Sequence, residues 1–572
     1  MKIYRTEHPN PQWERETWRN LNGEWEFEFD FGMSARERKV YEADSLSKKI
    51  NVPFCPESEL SGIGYKDFIN GVCYRRTFEL EEKKGRIILH FGAVDFRAYL
   101  YINKKYVGSH TGGYSAFEFD ITDYVDVGEN VIFLAVEDDT KSPEQYDGKQ
   151  STKYESYGCS YTRTTGIWQT VWLEFVPENY IKSAKYYTDI KQNSITIIGE
   201  TAGSGVLTAS ADFDGKRMGE ASAEVSGGSF TLNLKLSELH LWEVGKGGIY
   251  DLQLSFGEDR VKSYFGMRSL RLDGFKFLIN EQAVFQRLVL DQGFYPDGIY
   301  TAKDEKELIN DIEISMAAGF NGARLHQKVF EPRFLYHCDR LGYIVWGEQG
   351  SWGMDYCNIC AEENFINEWL EIIKRDFNHP SIVGWCPHNE TWGYEDNQYQ
   401  NRIQYNNRLL ETIYNITKAI DPTRPCIDTS GCFHSKTDIY DMHYYNQNVE
   451  EFAEKIRILN ETGLIKYFAC CESEGKKYNG EATFISEYGG IRWSDKDGWG
   501  YGEAPKTKEE YIERYKGLTD ALLDSPKMLG FCYTQLYDVE QEQNGLYTYD
   551  REPKFDMEIF RKINMRKAEI EK

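Results

Sequence analysis

The sequence predicts a multidomain chain: a β-sandwich of jelly-roll type over 1–178, an immunoglobulin-like β-sandwich over 179–268 and a (β/α)8 TIM barrel over 269–572. Three observations lead there. Up to about residue 268, apolar and polar residues alternate in short runs separated by Gly, Asn and Asp, the period of half-buried strands. Beyond about residue 270, strand-like runs alternate with helical periodicity, as parallel β/α units do. The chain has 572 residues, enough for several domains.

The elements follow in order. GEWEFEFDF, CYRRTFEL, GRIILHFG, FRAYLYINKKYVGSHTGG, NVIFLAVED and WQTVWLEF are the strands of an antiparallel sandwich. ITIIGETAG, GVLTASADF, SFTLNLKL and IYDLQLSFG crowd about ninety residues with short strands and Gly-rich turns, which suggests the immunoglobulin-like architecture. The barrel offers eight candidate strands: QRLVLDQG, NGARL, GYIVWGE, SIVGWC, PCIDTSG, IYDMHYY, ATFISEYG and MLGFCYTQL. Amphipathic segments such as DEKELINDIEISMAAG, 364–377, 402–420 and 508–524 lie between them. The weak point is the stretch between the fifth and sixth strands, which is short and has no convincing helix.

Composition removes some classes of function. A net charge of -25 with a pI near 5.0 and no basic block argues against nucleic acid as a partner. No run of ~18 apolar residues is present to span a bilayer, and MKIYRTEHPNPQWERE has no apolar leader region, so a soluble, cytoplasmic protein without membrane partners is expected. The twelve cysteines include one CxxC (Cys357, Cys360) and a vicinal pair (Cys470, Cys471). With no second CxxC at zinc spacing, reduced, mostly buried thiols are expected rather than a structural metal. No cofactor is implied, and a homo-oligomer stays open.

In a barrel of this kind the chemistry gathers where strands end at one mouth. Polar residues that close apolar runs are therefore the candidates: Asp291, Arg324, His326, Glu348, Asn389, Glu390, His443, Tyr445 and Glu487, with Gln535, Asp538, Glu540 and Glu542 after the eighth strand. Trp352, past the third strand, is counted with the substrate-binding candidates. Glu390 on the fourth strand and Glu487 on the seventh would face each other, and glycosidic cleavage needs two such carboxylates. Blander readings stand beside this one. A strand-end glutamate is often a solvated rim residue or an arginine's partner, Arg324 would serve as a structural partner, and His326 and His443 would be satisfied rim histidines. EYGG would then be only a turn.

The motifs RNLNGEWEFEFD, VPFCPESELSGIG, GAVDFRAYLYINKKYVGSHTGGYSAFEFDIT, TRTTGIWQTVWLE, GFNGARLHQ, YHCDRLGYIVWGE, NHPSIVGWCPHNE, ISEYGG and QNGLYTYDREPK resemble, in order and over essentially the whole chain, glycoside hydrolase family 2. That family contains β-galactosidases, β-glucuronidases, β-mannosidases and exo-β-glucosaminidases. The resemblance implies Glu390 as acid/base, Glu487 as nucleophile, Asn389 on the sugar 2-hydroxyl, Arg324 beside the nucleophile, and Tyr445 or else Tyr444 touching it. It implies retention of configuration, with carboxyl groups about 5–5.5 Å apart.

The glucuronidase branch carries an Asn-x-Lys-Gly that binds the sugar carboxylate. Here the stretch is Glu542-Gln543-Asn544-Gly545, without the lysine and with an acidic residue, so a neutral sugar is expected: a β-D-galactoside or the stereochemically related α-L-arabinopyranoside. The family's metal sites are not carried over. The acidic loop Asp538, Glu540, Glu542 is left to bind hydroxyls, an aminosugar cation or solvent. The expectation is an exo-acting retaining glycosidase acting on a small or oligosaccharide glycoside by double displacement. The rivals are another family specificity (β-glucuronidase, β-mannosidase, exo-β-glucosaminidase), a transglycosylase, and a carbohydrate-binding protein that has lost the chemistry.

Overall fold

The computed structural model describes residues 2–391, 405–431, 434–465 and 478–572; the vicinal Cys470 and Cys471 lie outside them. The first sandwich packs a six-stranded sheet (48–52, 23–29, 71–80, 128–137, 97–102, 105–111) on a four-stranded one (18–20, 171–176, 86–91, 117–120). Alternation sets what goes inside: in Gly23–Phe29, Trp25 and Phe27 are buried and Glu24 is exposed. They meet Ile50, Leu89, Leu134 and Leu173 in one core.

The second sandwich packs three strands (180–189, 194–202, 228–235) on four (216–225, 205–213, 250–256, 259–265). Its core holds Ile195, Ile197, Leu232, Leu234 and Leu254. Arg15 joins the two sandwiches. Its Nε lies 2.7 Å from Asp259 Oδ1 and another of its nitrogens 3.0 Å from Glu174 Oε1, while a third donates to the Ile181 carbonyl at 2.6 Å.

The barrel strands are β1 (Gln286–Asp291), β2 (Gly322–Leu325), β3 (Ile344–Glu348), β4 (Ile382–Cys386), β5 (Thr429–Ser430), β6 (Tyr440–Tyr444), β7 (Thr483–Gly489) and β8 (Met528–Thr534). Seven of them form one parallel sheet in the order β4-β3-β2-β1-β8-β7-β6. The eighth closes the ring weakly. Past Pro387 the chain pairs His388–Asn389 with β5, and Trp385 exchanges hydrogen bonds with Pro425 and Ile427. The expected fifth strand is thus reduced to a two-residue ladder and one bridge at Cys426, and no helix follows it among the described residues.

Residues of β4 are buried on both faces, because side chains fill the barrel and helices cover it. Leu288, Leu290, Ile344, Trp346, Val383 and Phe484 fill the interior, and Trp242, Phe277 and Ile279 pack beneath them. The helices α1 (Glu305–Ala317), α2 (Pro332–Leu341), α3 (Ile359–Asp376), α4 (Asn407–Ile420), α5 (Val449–Thr462), α6 (Lys508–Leu523) and α7 (Met557–Asn564) surround it. All but α2 begin at an Asp, Asn or Thr whose side chain accepts from the first-turn amides, and α2 has Pro332 in its first turn.

The first sandwich and the barrel share one apolar core. Phe96, Tyr114, Tyr146, Tyr161 and Trp168 belong to the same buried cluster as Phe330, Phe365 and Trp385. A long connection, 138–165, leaves the sandwich and runs to the barrel mouth, where the Asp147 and Gly148 amides donate to the Trp352 carbonyl at 2.6 and 3.2 Å. Gly148 sits at φ 60°, and a Cβ there would come within 2.5 Å of the Gln327 carbonyl oxygen. Replacing Arg15 by alanine leaves Asp259 buried without its cation and Glu174 with His90 alone, and a loss of about 3–5 kcal/mol is expected. A lowered denaturant midpoint would register it, and an unchanged midpoint would show that the two sandwiches do not depend on this contact.

Candidate active site

Each strand end delivers its polar group by alternation. In β3, Ile344 and Trp346 face the barrel interior, so Glu348 follows them inward at the top. In β2, Gly322 and Arg324 point the same way, and a Cβ on Gly322 would collide with Ile344 and Leu288. From Ile439, just before β6, the alternation continues inward through Asp441 and His443. Strict alternation from Phe484 in β7 would point Ser486 inward and Glu487 away. The register shifts against β6 and β8 around these residues, and such irregularities re-aim side chains. Ser486 reaches Asp441 and Glu487 reaches Arg324.

Arg324, 2% exposed, is the hub. Its guanidinium donates to Glu348 at 2.8 Å, Glu487 Oε1 at 2.9 Å, the Ser486 carbonyl at 3.1 Å and Asn389 Oδ1 at 2.6 Å. The other Glu487 oxygen accepts from the Tyr445 hydroxyl at 2.5 Å. Tyr445 in turn stacks on Tyr501, with centroids 3.5 Å apart, whereas Tyr444 packs against Phe452. Tyr445, not Tyr444, is therefore the strand-six tyrosine at Glu487.

Glu390 stands opposite. Its Oε1 is 2.7 Å from His443 Nδ1, and that nitrogen is 3.4 Å from Glu487 Oε2. One oxygen from each glutamate and a ring nitrogen of His443 lie within 4.8 Å of one another. Glu390 adopts φ 45°, a region that costs a residue with a Cβ roughly 1–3 kcal/mol. Its neighbours hold it there. The Glu390 amide donates to the Ser430 carbonyl at 2.8 Å, the Asn389 amide to Ser351 Oγ at 3.1 Å and Trp352 Nε1 to the Asn389 carbonyl at 2.9 Å. Asn389 Nδ2 is buried without a partner among the described residues, a donor that needs an acceptor.

A second ring of contacts supports His443. Ser430 Oγ, 3.0 Å from its Nε2, donates at 2.6 Å to Asp441, and Asp441 lies beside His434. Asp428 and Asp441 raise the His434 imidazole to about 10 against its burial, so it is a buried cation. Burial opposes the charge of His443, and Glu487 and Glu390 raise its pKa above the ordinary histidine value. Burial also pushes the Glu487 carboxyl up, but His443, Arg324 and Lys149 overcome this and bring it to about 2. A divalent cation does not suit the Glu390–His443–Glu487 group, because it would sit beside the Arg324 guanidinium.

The remaining candidates are distributed differently. His326 joins the hub, with Nδ1 3.0 Å from Glu348 and Nε2 4.0 Å from Glu487 Oε1. Asp291 meets this set only through its backbone, whose carbonyl accepts from the His326 amide at 2.8 Å. Its carboxylate accepts from the Gly293 amide and the Tyr537 hydroxyl, and burial and Asp311 push it up to about 6. Glu540 accepts from the Thr162 amide at 3.2 Å. Glu542, 2% exposed, accepts from the Tyr161 hydroxyl at 2.5 Å and from Asn544 at 3.0 Å. Asp538 pairs with Lys554 at 2.6 Å. The acidic loop is therefore not a solvated face; it binds the first sandwich and its own base.

His388, the other polar group in WCPHNET, is fully buried and stacks on Phe365, with burial lowering it to about 4. Cys357 and Cys360 are exposed free thiols. Sequence reasoning missed Lys149, Tyr161, Ser351, Ser430 and Tyr501. Ser430 closes the PCIDTSG run and carried a strand-end signal; no strand end or motif marks the other four, and only the packing of the 138–165 connection on the mouth brings Lys149 and Tyr161 there.

Residues 18–177 match the family description "Glycosyl hydrolases family 2, sugar binding domain" and residues 300–489 match "Glycosyl hydrolases family 2, TIM barrel domain", together more than half of the chain. The chain belongs to glycoside hydrolase family 2. A β-galactosidase of Thermoanaerobacter pseudethanolicus is 25% identical over 412 residues, 68% of this chain and 52% of that protein. A putative β-glucuronidase of Formosa agariphila is 25% identical over 59% of this chain and 41% of its own length. The chain thus spans about half or less of these relatives. A solved β-glucuronidase from Lactobacillus rhamnosus superposes with a TM-score of 0.79 at 18% identity, covering 98% of this chain and 99% of that one; this likeness is one of fold.

The depressed Glu487 value gives a direct expectation. The carboxylate contributes stability above the ordinary range of an unfolded glutamate, and that contribution is lost progressively as pH falls from that range through about 2. At pH 4, the infrared difference between wild type and Glu487→Gln should contain a carboxylate band. A protonated-carboxyl band in its place would contradict the field described around Arg324.

Proposed function

We propose that the protein is an exo-acting glycosidase that retains anomeric configuration, with Glu487 as nucleophile and Glu390 as acid/base. The observation that carries this reading is the approach of the two carboxylates, with an oxygen of each inside 4.8 Å. Retaining enzymes hold the carboxyl groups about 5–5.5 Å apart, and inverting ones about 6.5–9.5 Å to admit a water.

Each side chain then has a task. Arg324 and Tyr445 orient both oxygens of Glu487, whose low pKa keeps it ionised for attack on the anomeric carbon. Glu390 and His443 Nδ1 share a hydrogen bond. The proton needed by the leaving oxygen is held on that pair and passes through Glu390. In the second half Glu390 takes a proton from water, and the water's oxygen displaces Glu487 from the sugar. Asn389 Nδ2, without a partner among the described residues, meets the sugar 2-hydroxyl, an interaction that strengthens as positive charge develops on the ring.

The substrate proposed is a neutral terminal sugar, a β-D-galactoside or α-L-arabinopyranoside. Glu542, near enough to Glu487 for each charge to affect the other, repels an anionic ring. The β-galactosidase relative supports this choice, while the β-glucuronidase neighbours make uronide hydrolysis the competing reading. Conversion of Glu390 to alanine should lower turnover of a nitrophenyl glycoside on the order of 10²–10⁴-fold. Glu487→Ala should lose several orders of magnitude, and azide should restore product as the glycosyl azide of inverted configuration. Wild-type turnover in either variant would remove the assignment, and a screen of nitrophenyl glycosides that detects only the uronide would remove the neutral-sugar reading.

A further inference from the structure

Lys149 reaches the barrel mouth from the first sandwich, and its backbone is held on both sides. The preceding amides of Asp147 and Gly148 bond the Trp352 carbonyl. Its own carbonyl accepts from the Tyr161 amide at 2.7 Å, and the Gln150 side chain donates to Asp95 at 2.7 Å. The side chain is 5% exposed, and its ammonium lies 4.1 Å from the centroid of the Trp352 ring. Trp352 is the indole that bonds the Asn389 carbonyl. Lys149 therefore stands next to the residues that hold Glu390.

The surroundings of this ammonium are unusual. Burial disfavours its charge, but Cys159, Glu542, Glu487 and Glu390 more than offset that and keep it protonated. Its field in turn acts on Glu542, Glu487 and His326. Yet among the described residues no carboxylate oxygen comes within the 4.0 Å of an ion pair, and no hydrogen bond uses its protons. A nearly buried cation with three donors and several nearby carboxylates remains unbonded. Glu542 does not close on it, because its oxygens are taken by Tyr161 and Asn544.

A gap between a buried cation and a buried anion selects for one kind of group. A hydroxyl accepts from an ammonium and can donate to a carboxylate, each bond about 2.7–3.0 Å, so it suits an ammonium that is buried over Trp352 among carboxylates. A carboxylate or sulfate would satisfy Lys149 but would present a like charge to Glu542. We propose that Lys149, paired with Glu542, is a specificity-determining residue that clasps one hydroxyl of the terminal sugar other than the 2-hydroxyl. The proposal rests on the reading of the mouth as a glycosidase site. It gives the first sandwich a direct part in choosing the substrate.

The test compares wild type with Lys149→Met and Glu542→Gln on the nitrophenyl glycoside that wild type cleaves best and on its 3-, 4- and 6-deoxy analogues. Lys149→Met should lower kcat/KM about 10- to 100-fold on the parent glycoside. On one deoxy analogue wild type should already have lost that factor, and Lys149→Met should lose no more than about 3-fold further. Glu542→Gln should single out the same analogue. Ratios between substrates do not depend on the folded fraction of a variant, so poor folding cannot imitate this pattern. An equal loss on all four substrates, or no loss, overturns the proposal while leaving the glycosidase reading in place. Failure of wild type to cleave any glycoside of the panel defeats that reading and this proposal with it.

Discussion

The mouth of the barrel is organised around one buried guanidinium. Arg324 is the shared partner of Glu348, Glu487 and Asn389, so three strand ends from different parts of the ring are placed relative to one planar group. Two ionised carboxylates at this depth would repel each other and favour their neutral forms. The fork of Arg324 makes their ionisation tolerable and fixes their orientation, which a lysine's point charge would not do. Glu348 serves this hub, not the substrate: it is fully buried as a side chain and directed at Arg324 and His326.

Around that hub the site uses local irregularity. The shift in β7 lets consecutive residues, Ser486 and Glu487, both reach the barrel's polar end. The left-handed backbone of Glu390 turns its carboxylate toward His443. Neither conformation is favourable in isolation. The conformation of Glu390 persists because Ser430, Ser351 and Trp352 bind the adjoining backbone, and the shortened β5 supplies one of those contacts. The weakest part of the barrel ladder thus adjoins the acid/base candidate, where the Glu390 amide donates to the fifth strand and Asn389 exchanges hydrogen bonds with the third loop.

The first sandwich is part of the site rather than an appendage. Tyr161 and Thr162 engage Glu542 and Glu540, and Glu368 of α3 receives the Tyr114 and Ser115 amides. These contacts bury carboxylates at the junction and bind them to backbone and hydroxyl donors, which charged side chains require when water is excluded. The acidic loop after β8 illustrates the consequence. Read as sequence, it offers charges to solvent, but packed against the sandwich it becomes a set of specific acceptors.

Much of the site was legible without coordinates. Strand-end position and motif order marked Glu390, Glu487, Asn389, Arg324, His326, His443 and Tyr445, because alternation along a barrel strand is a local property that the residue pattern carries. The three-domain architecture followed from periodicity for the same reason. The choice between Tyr444 and Tyr445, the retreat of Asp291 into its bond with Tyr537, the burial of His388 and the arrival of Lys149 were decided only in three dimensions. Each depends on how separate segments pack, on a bulge that shifts one strand against its neighbour or on a connection from another domain laid across the mouth. Such contacts join residues tens to hundreds of positions apart, and no local period encodes them.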